Sequence, residues 1–125
     1  MAHWAEIDEN NIVIRVTVGD NNDPNGDEGY QWLIDNHGGT WIKTSYNTHL
    51  GKHLNGGTPL RLNYAGVGMK YDPDLDGFIL PKEYDSWILD EETGGWKPPI
   101  PKPNDGKKYF WREKLQMWAE PPSEV

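Results

Sequence analysis

The chain has 125 residues, is 35% hydrophobic and carries a formal net charge of −8, with a mean hydropathy of −0.85. That length holds one domain with a small core, and with no cysteine it excludes disulfides, thiolate chemistry and cysteine-based metal centres. No apolar run is long enough for a membrane-spanning helix, and the acidic balance opposes nucleic-acid binding, which needs cations against phosphate. Neither a membrane nor a nucleic acid is expected as a partner. Residues 1–6 also lack the basic start and apolar stretch of a secretory signal.

Seven Trp and six Tyr offset the shortage of aliphatics, because each ring buries a large area. Fourteen Gly and ten Pro argue for short strands and many turns. The expected fold is mainly β, with short antiparallel strands, consecutive β-hairpins and one short helix near residues 27–36. It is read as a single domain over 1–125, with an N-terminal part over 1–71 and a hairpin-repeat, proline-rich part over 72–125. The charge is uneven. Residues 1–36 hold eight acids against Arg15, whereas residues 37–71 hold Lys43, Lys52, Arg61 and Lys70 and no acid. The middle could face an anionic partner; the plainer reading pairs its cations with the acidic flanks.

In chain order, residues 3–7 and the β-branched run 12–18 read as two strands joined by a turn over 8–11. Residues 19–26 are a polar loop. The helix over 27–36 has Asp27 as its cap, Glu28 at the positive dipole end, Tyr30, Leu33 and Ile34 on one face, and Gly38 or Gly39 as its stop. Residues 40–46 read as another strand, 47–58 as an exposed loop, and 61–71 as an extended, glycine-containing segment with a bulge.

The C-terminal half carries a weak internal repeat. Three times an apolar residue is followed seven positions later by an aromatic and three positions after that by Pro: Tyr71/Phe78/Pro81, Leu89/Trp96/Pro99 and Trp111/Trp118/Pro121. A four-residue turn between them places the paired residues opposite each other across a ladder. Each unit therefore reads as a hairpin closed by a cross-strand pair and stopped by proline. The run over 98–103 reads as a polyproline II spacer between hairpins.

Residues 72–83 match the calcium-loop string D-x-D-x-D-G-x5-E, with Asp72, Asp74 and Asp76 as ligands and Glu83 as the closing carboxylate. The flanks are not helical and the register recurs without ligands at Asp90 and Arg112, so the reading is a hairpin turn first and a Ca2+ loop second. No cofactor is otherwise expected. His49 and His53 have metal-ligand spacing only on a helix, and here they fall in a Gly/Asn loop. Ser45, Ser86 and Ser123 lie outside any nucleophile-elbow sequence, and Gly66-x-Gly68 lacks the rest of a phosphate cradle. No enzyme is expected. The partner-binding candidates are the rings Trp41, Tyr46, Tyr64, Trp87, Trp96, Trp111 and Trp118, since Trp and Tyr carry much of the energy of protein interfaces.

Four strings, over residues 1–13, 39–48, 62–72 and 86–96, together resemble a family of small, mostly uncharacterised proteins of tailed phages of marine and freshwater bacteria, cyanophages especially. The likeness runs over nearly the whole chain and keeps the order of the motifs. The resemblance implies a phage origin and a place in the virion after synthesis in the bacterial host cytoplasm; it carries no catalytic residues with it. The expected function is that of a virion structural protein, in the first place a capsid decoration or cement protein on the major capsid protein, as a homo-oligomer or bound to the lattice. The alternatives are a tail, baseplate or fibre component that could bind glycans, and an intracellular effector that inhibits a host protein.

Overall fold

A computed structural model describes residues 2–19 and 29–122. The fold is mainly β. Strands β1 (Ala2–Ile7) and β2 (Val13–Gly19) form an antiparallel hairpin. Its turn is held by the Asp8 carboxylate, which accepts the Asn10 and Ile12 N–H groups at 2.8 and 3.0 Å. Aspartate suits this place because its short side chain closes the turn on its own backbone. Glu6 opposes Arg15 but Ile7 opposes Val13, so Ile14 is the extra residue of a β-bulge and points outward.

Helix α1 (Tyr30–His37) follows, then β3 (Thr40–Thr44), which pairs with the other edge of β1 and gives the order β2-β1-β3. The helix ends where expected: the Gly38 N–H reaches the Ile34 carbonyl at 2.8 Å. Gly29, at φ 84°, occupies the N-cap; the expected cap at Asp27 and Glu28, and residues 20–26 of the expected loop, lie outside the described residues. Side chains alternate across a strand, and here both faces of the sheet are covered. On one, Ala2, Trp4 and Trp41 pack with Leu33 and Tyr30 of the helix. On the other, Ala5, Ile7, Val13, Val16 and Ile42 pack with Ala65, Met69, Tyr71, Phe78 and Leu80. The core is thus part aliphatic, and the first hairpin of the repeat helps to build it. The division drawn at residues 71 and 72 runs through this core.

Two segments depart from expectation. Residues 47–58 are not merely an exposed loop. They contain β4 (Thr48–His49) and β5 (Lys52–His53), joined by Leu50 at φ 49° and Gly51 at φ 75°. Left-handed conformations at both turn residues match the twist of a tight hairpin, and Leu at the first of them hid the turn. Thr48 is buried, its hydroxyl accepting the Leu60 N–H at 3.0 Å. Residues 61–69 are irregular rather than extended, with Arg61 and Leu62 at φ 54° and 69°. Strand geometry begins only at β6 (Lys70–Asp72).

The three repeat units are hairpins. Strand β6 pairs with β7 (Gly77–Ile79), β8 (Ile88–Asp90) with β9 (Gly95–Lys97), and β10 (Phe110–Arg112) with β11 (Met117–Ala119). Tyr71 opposes Phe78, Leu89 opposes Trp96, and Trp111 opposes Trp118. The turns also correspond: Asp76, Gly94 and Gln116, each just before the second strand, all have positive φ of 50°, 70° and 49°. At Gly94 a side chain is further barred by crowding, since a Cβ would lie 2.6 Å from the Asn63 Nδ2 and 2.9 Å from the Phe78 carbonyl.

Candidate functional site: ring clusters on the hairpins and beside the sheet

Consecutive hairpins are joined by one device used twice. The Trp96 indole N–H donates to the Leu80 carbonyl at 2.7 Å, and the Trp118 indole N–H to the Ile100 carbonyl at 2.8 Å. Leu80 and Ile100 are each followed by Pro and Lys. The two lysines then lie over the same rings, with the Lys82 Nζ 5.2 Å from the Trp96 centroid and the Lys102 Nζ 6.0 Å from that of Trp118. Proline fixes the approach to the carbonyl, and the ammonium adds a cation–π contact. At the first junction the Leu80 N–H also donates to the Gly94 carbonyl at 2.8 Å, so hairpin two holds both backbone groups of Leu80.

Between the second and third hairpins the rings converge. Trp111 and Trp118 meet edge to face at 5.2 Å, Trp87 lies 6.1 and 6.4 Å from them, and Tyr84 adjoins Trp87 at 5.3 Å. Edge-to-face contacts suit the ring quadrupoles. Glu113 locks the cluster: its carboxylate accepts the Ser86 hydroxyl at 2.6 Å, the Ser86 N–H at 3.0 Å and the Trp111 indole at 2.9 Å. These donors, Ser86 first, hold its carboxyl below the usual range. The Trp87 indole nitrogen is buried with no hydrogen-bond partner among the described residues. The second and third hairpins expose Ile88, Phe110, Leu115 and Met117, and the spacer between them exposes Ile100.

A second ring group lies beside the sheet. The Tyr46 and His3 rings stack at 5.8 Å with 23° between planes, and Tyr64 packs edge-on to both, at 5.4 and 5.3 Å. Tyr46 is 64% exposed. Of the seven candidate rings, then, Tyr46 and Tyr64 belong to this group, and Trp87, Trp111 and Trp118 to the hairpin cluster. Trp96 sits at the first junction. Trp41 stands apart, 5% exposed, its indole donating to the Gly38 carbonyl at 2.6 Å and the Arg15 guanidinium lying 4.9 Å over its ring. Trp111 is 7% exposed and faces the other rings rather than solvent. His3, Tyr84 and Glu113 were not singled out in the sequence. The period-two pattern of β1 puts His3 on one face with Ala5, but nothing local links it to Tyr46 or Tyr64.

The acidic loop is organised as a turn. The Asp72 carboxylate accepts the Asp74 and Leu75 N–H groups at 2.9 and 3.2 Å. Asp76 accepts the Tyr71 hydroxyl at 2.6 Å and the Arg61 Nε at 2.9 Å. Those donors, Tyr71 foremost, hold the Asp76 carboxyl low, while burial and the Asp76 contact push the Tyr71 phenol up to about 12. Asp72, Asp74, Asp76 and Glu83 form no convergent ligand set, and no group of three His, Cys, Asp or Glu among the described residues could hold a metal. His53 uses its Nδ1 to accept the Asn55 and Gly57 N–H groups at 3.1 and 3.0 Å.

Of the four cations in the acid-free stretch, Arg61 pairs with Asp76. Lys43, Lys52 and Lys70 make no ion pair among the described residues. No helix among those residues is long and apolar enough to cross a membrane. No family model matches the chain, and no curated protein or solved structure is similar to it.

Proposed function

We propose that this chain is a non-catalytic structural protein of a tailed-phage particle, and in the first place a capsid decoration or cement protein seated on the major capsid protein. The clasped hairpin array carries this reading. It presents Ile88, Phe110 and Met117 from short, stiffly joined strands, Leu115 from a tight turn and Ile100 from the proline-rich spacer, and apolar side chains held with little loss of loop entropy make good anchors for a protein partner. The phage setting rests on the sequence resemblance. The chain would act in the virion, as a homo-oligomer or held by the lattice.

A tail, baseplate or fibre place is the second reading. Its support is the serial use of one junction, Trp96 to Leu80 and then Trp118 to Ile100, because repeating one contact along the chain is how a rod is lengthened.

Quantitative mass spectrometry of purified particles tests both readings. Hundreds of copies per particle support decoration, and a small multiple of three or six supports the tail. Absence from the particle contradicts both and favours the intracellular effector.

A further inference from the structure

The three hairpins differ on the face turned away from their ring pairs. Side chains alternate across a strand, so that face carries the residue pair next to each turn: Asp72 opposite Gly77, Asp90 opposite Gly95, and Arg112 opposite Met117. In the first two hairpins the glycine is buried under an aliphatic side chain from an earlier segment. Leu62 packs so closely on Gly77, and Leu50 on Gly95, that a Cβ at either position would collide. In the third hairpin both members of the pair change character, and the face is uncovered. Met117 is 45% exposed, and Phe110, diagonal to it across the ladder, is 43% exposed.

The charge changes as well. Residues 72–97 hold eight acids against Lys82 and Lys97, whereas residues 101–122 hold five bases against three acids. Those three acids are engaged: Asp105 by the Tyr109 hydroxyl, Glu113 by Ser86 and Trp111, and Glu120 by Lys107. Lys108, Arg112 and Lys114 are exposed and make no ion pair among the described residues. The uncovered face is thus apolar and cationic on an acidic protein. Its complement lies on the same chain. Ile88 of the second hairpin is 53% exposed on the face that carries Asp90. The adjoining turn presents Glu91 and Glu92, both exposed and without an ion pair among the described residues.

We propose that the outer face of the third hairpin docks on the second hairpin of another copy of this chain, with Phe110 and Met117 against the partner's Ile88, and Arg112 and Lys114 toward the partner's Glu91 and Glu92. The two surfaces differ, so a pair of copies keeps one of each free, and the contact builds a ring or an open row. Copies that each carry −8 repel one another, but range decides which effect wins. At about 0.15 M salt, charges more than about 8 Å apart are largely screened, while the facing pairs act in contact. The inference rests on the homo-oligomer of the reading above and assigns these side chains to the contact between copies; its failure would leave the copy number in particles untouched.

The test is sedimentation equilibrium of the full chain. At about 0.15 M salt the average mass should climb above 14.3 kDa as the concentration rises through about 0.1 mM, as befits a contact smaller than a standard interface. At about 1 M salt, where the screening length is about 3 Å, it should fall back toward the monomer. Phe110→Ser, which leaves the charge alone, and the double variant Arg112→Glu, Lys114→Glu should each stay monomeric with an unchanged near-ultraviolet spectrum of the rings. So should Glu91→Lys, Glu92→Lys, which spares Asp90 because its carboxylate holds the turn through the Glu92 N–H at 3.0 Å. An equimolar mixture of the two charge-reversed variants should associate again. Association that survives Phe110→Ser or either reversal, or a mixture that fails to associate, would overturn the proposal. A chain that stays monomeric up to about 1 mM would also overturn it and leave this face to an acidic protein of another sequence.

Discussion

The indole N–H of Trp96 donates to the carbonyl of Leu80 at 2.7 Å, and that bond, repeated from Trp118 to Ile100 at 2.8 Å, turns three separate hairpins into one array. Trp96→Phe keeps a ring and removes the donor, and the expected cost is about 1 kcal/mol. Trp96→Ala also empties the space between Leu89, Leu80 and Lys82, and should cost roughly 3–5 kcal/mol. Urea unfolding measures both; a loss under about 1 kcal/mol for the alanine variant would mean that the ring does not hold the junction.

Asn63 is 1% exposed and ties three segments together. Its amide donates to the Phe78 carbonyl at 3.0 Å and the Thr93 carbonyl at 2.9 Å, and its Oδ1 accepts the Leu50 N–H at 2.8 Å. Asn63→Leu keeps the branched shape and the number of heavy atoms but strands three backbone groups. With roughly 1–3 kcal/mol for each buried group left unpaired, this variant should be among the most damaging single changes outside the rings. Thermal melting of Asn63→Leu beside Asn55→Leu, at an exposed position, reads the contrast.

The Tyr71–Asp76–Arg61 triad makes stability depend on pH at both ends. The Tyr71 pKa is raised on folding to about 12, so its contribution is complete below its unfolded value near 10 and is lost as pH rises toward 12. Tyr71→Phe should remove that alkaline step. The Asp76 pKa is lowered, so its contribution is present above the ordinary carboxylate pKa of about 4 and is lost as pH falls through the depressed folded value. The exposure of Asp76 keeps that acid step small. Denaturant midpoints from pH 3 to 12 in wild type and Tyr71→Phe test both signs.

Calorimetry with Ca2+ should show no binding tighter than millimolar, because Asp72 is engaged by two backbone N–H groups and Asp76 by Tyr71 and Arg61. A micromolar constant would contradict the reading of residues 72–77 as a turn.

Much of the array was legible in the sequence. A spacing of seven positions from Tyr71 to Phe78, Leu89 to Trp96 and Trp111 to Trp118 leaves one way to close a four-residue turn, so composition and spacing fixed the register. The third turn lacks glycine and still takes the left-handed conformation at Gln116; Gln116→Gly should therefore stabilise by a few tenths to about 1 kcal/mol, measurable as a shifted urea midpoint. The junctions were harder to see. The aliphatic-Pro-Lys string occurs at Leu80 and Ile100, but the distances to Trp96 and Trp118 differ by two residues, which breaks any fixed period. Asn63 and Thr48 were invisible because they bond to backbone carbonyls and N–H groups far away in the chain, and no local pattern records such partners; Arg61 does pair with an acid of a flank, Asp76, as its charge suggested. The rings were legible as rings, but their sorting into a core residue, a hairpin cluster and an open platform comes from tertiary packing.

Hydrogen exchange of the indole N–H groups tests the clasped array most directly, and the chain supplies its own control in Trp32, which is 58% exposed on the helix. The Trp96 indole proton should exchange far more slowly than that of Trp32, and Leu80→Ala, which leaves the carbonyl in place, should preserve much of that protection. Equal, fast exchange at Trp96 and Trp32 would contradict the account.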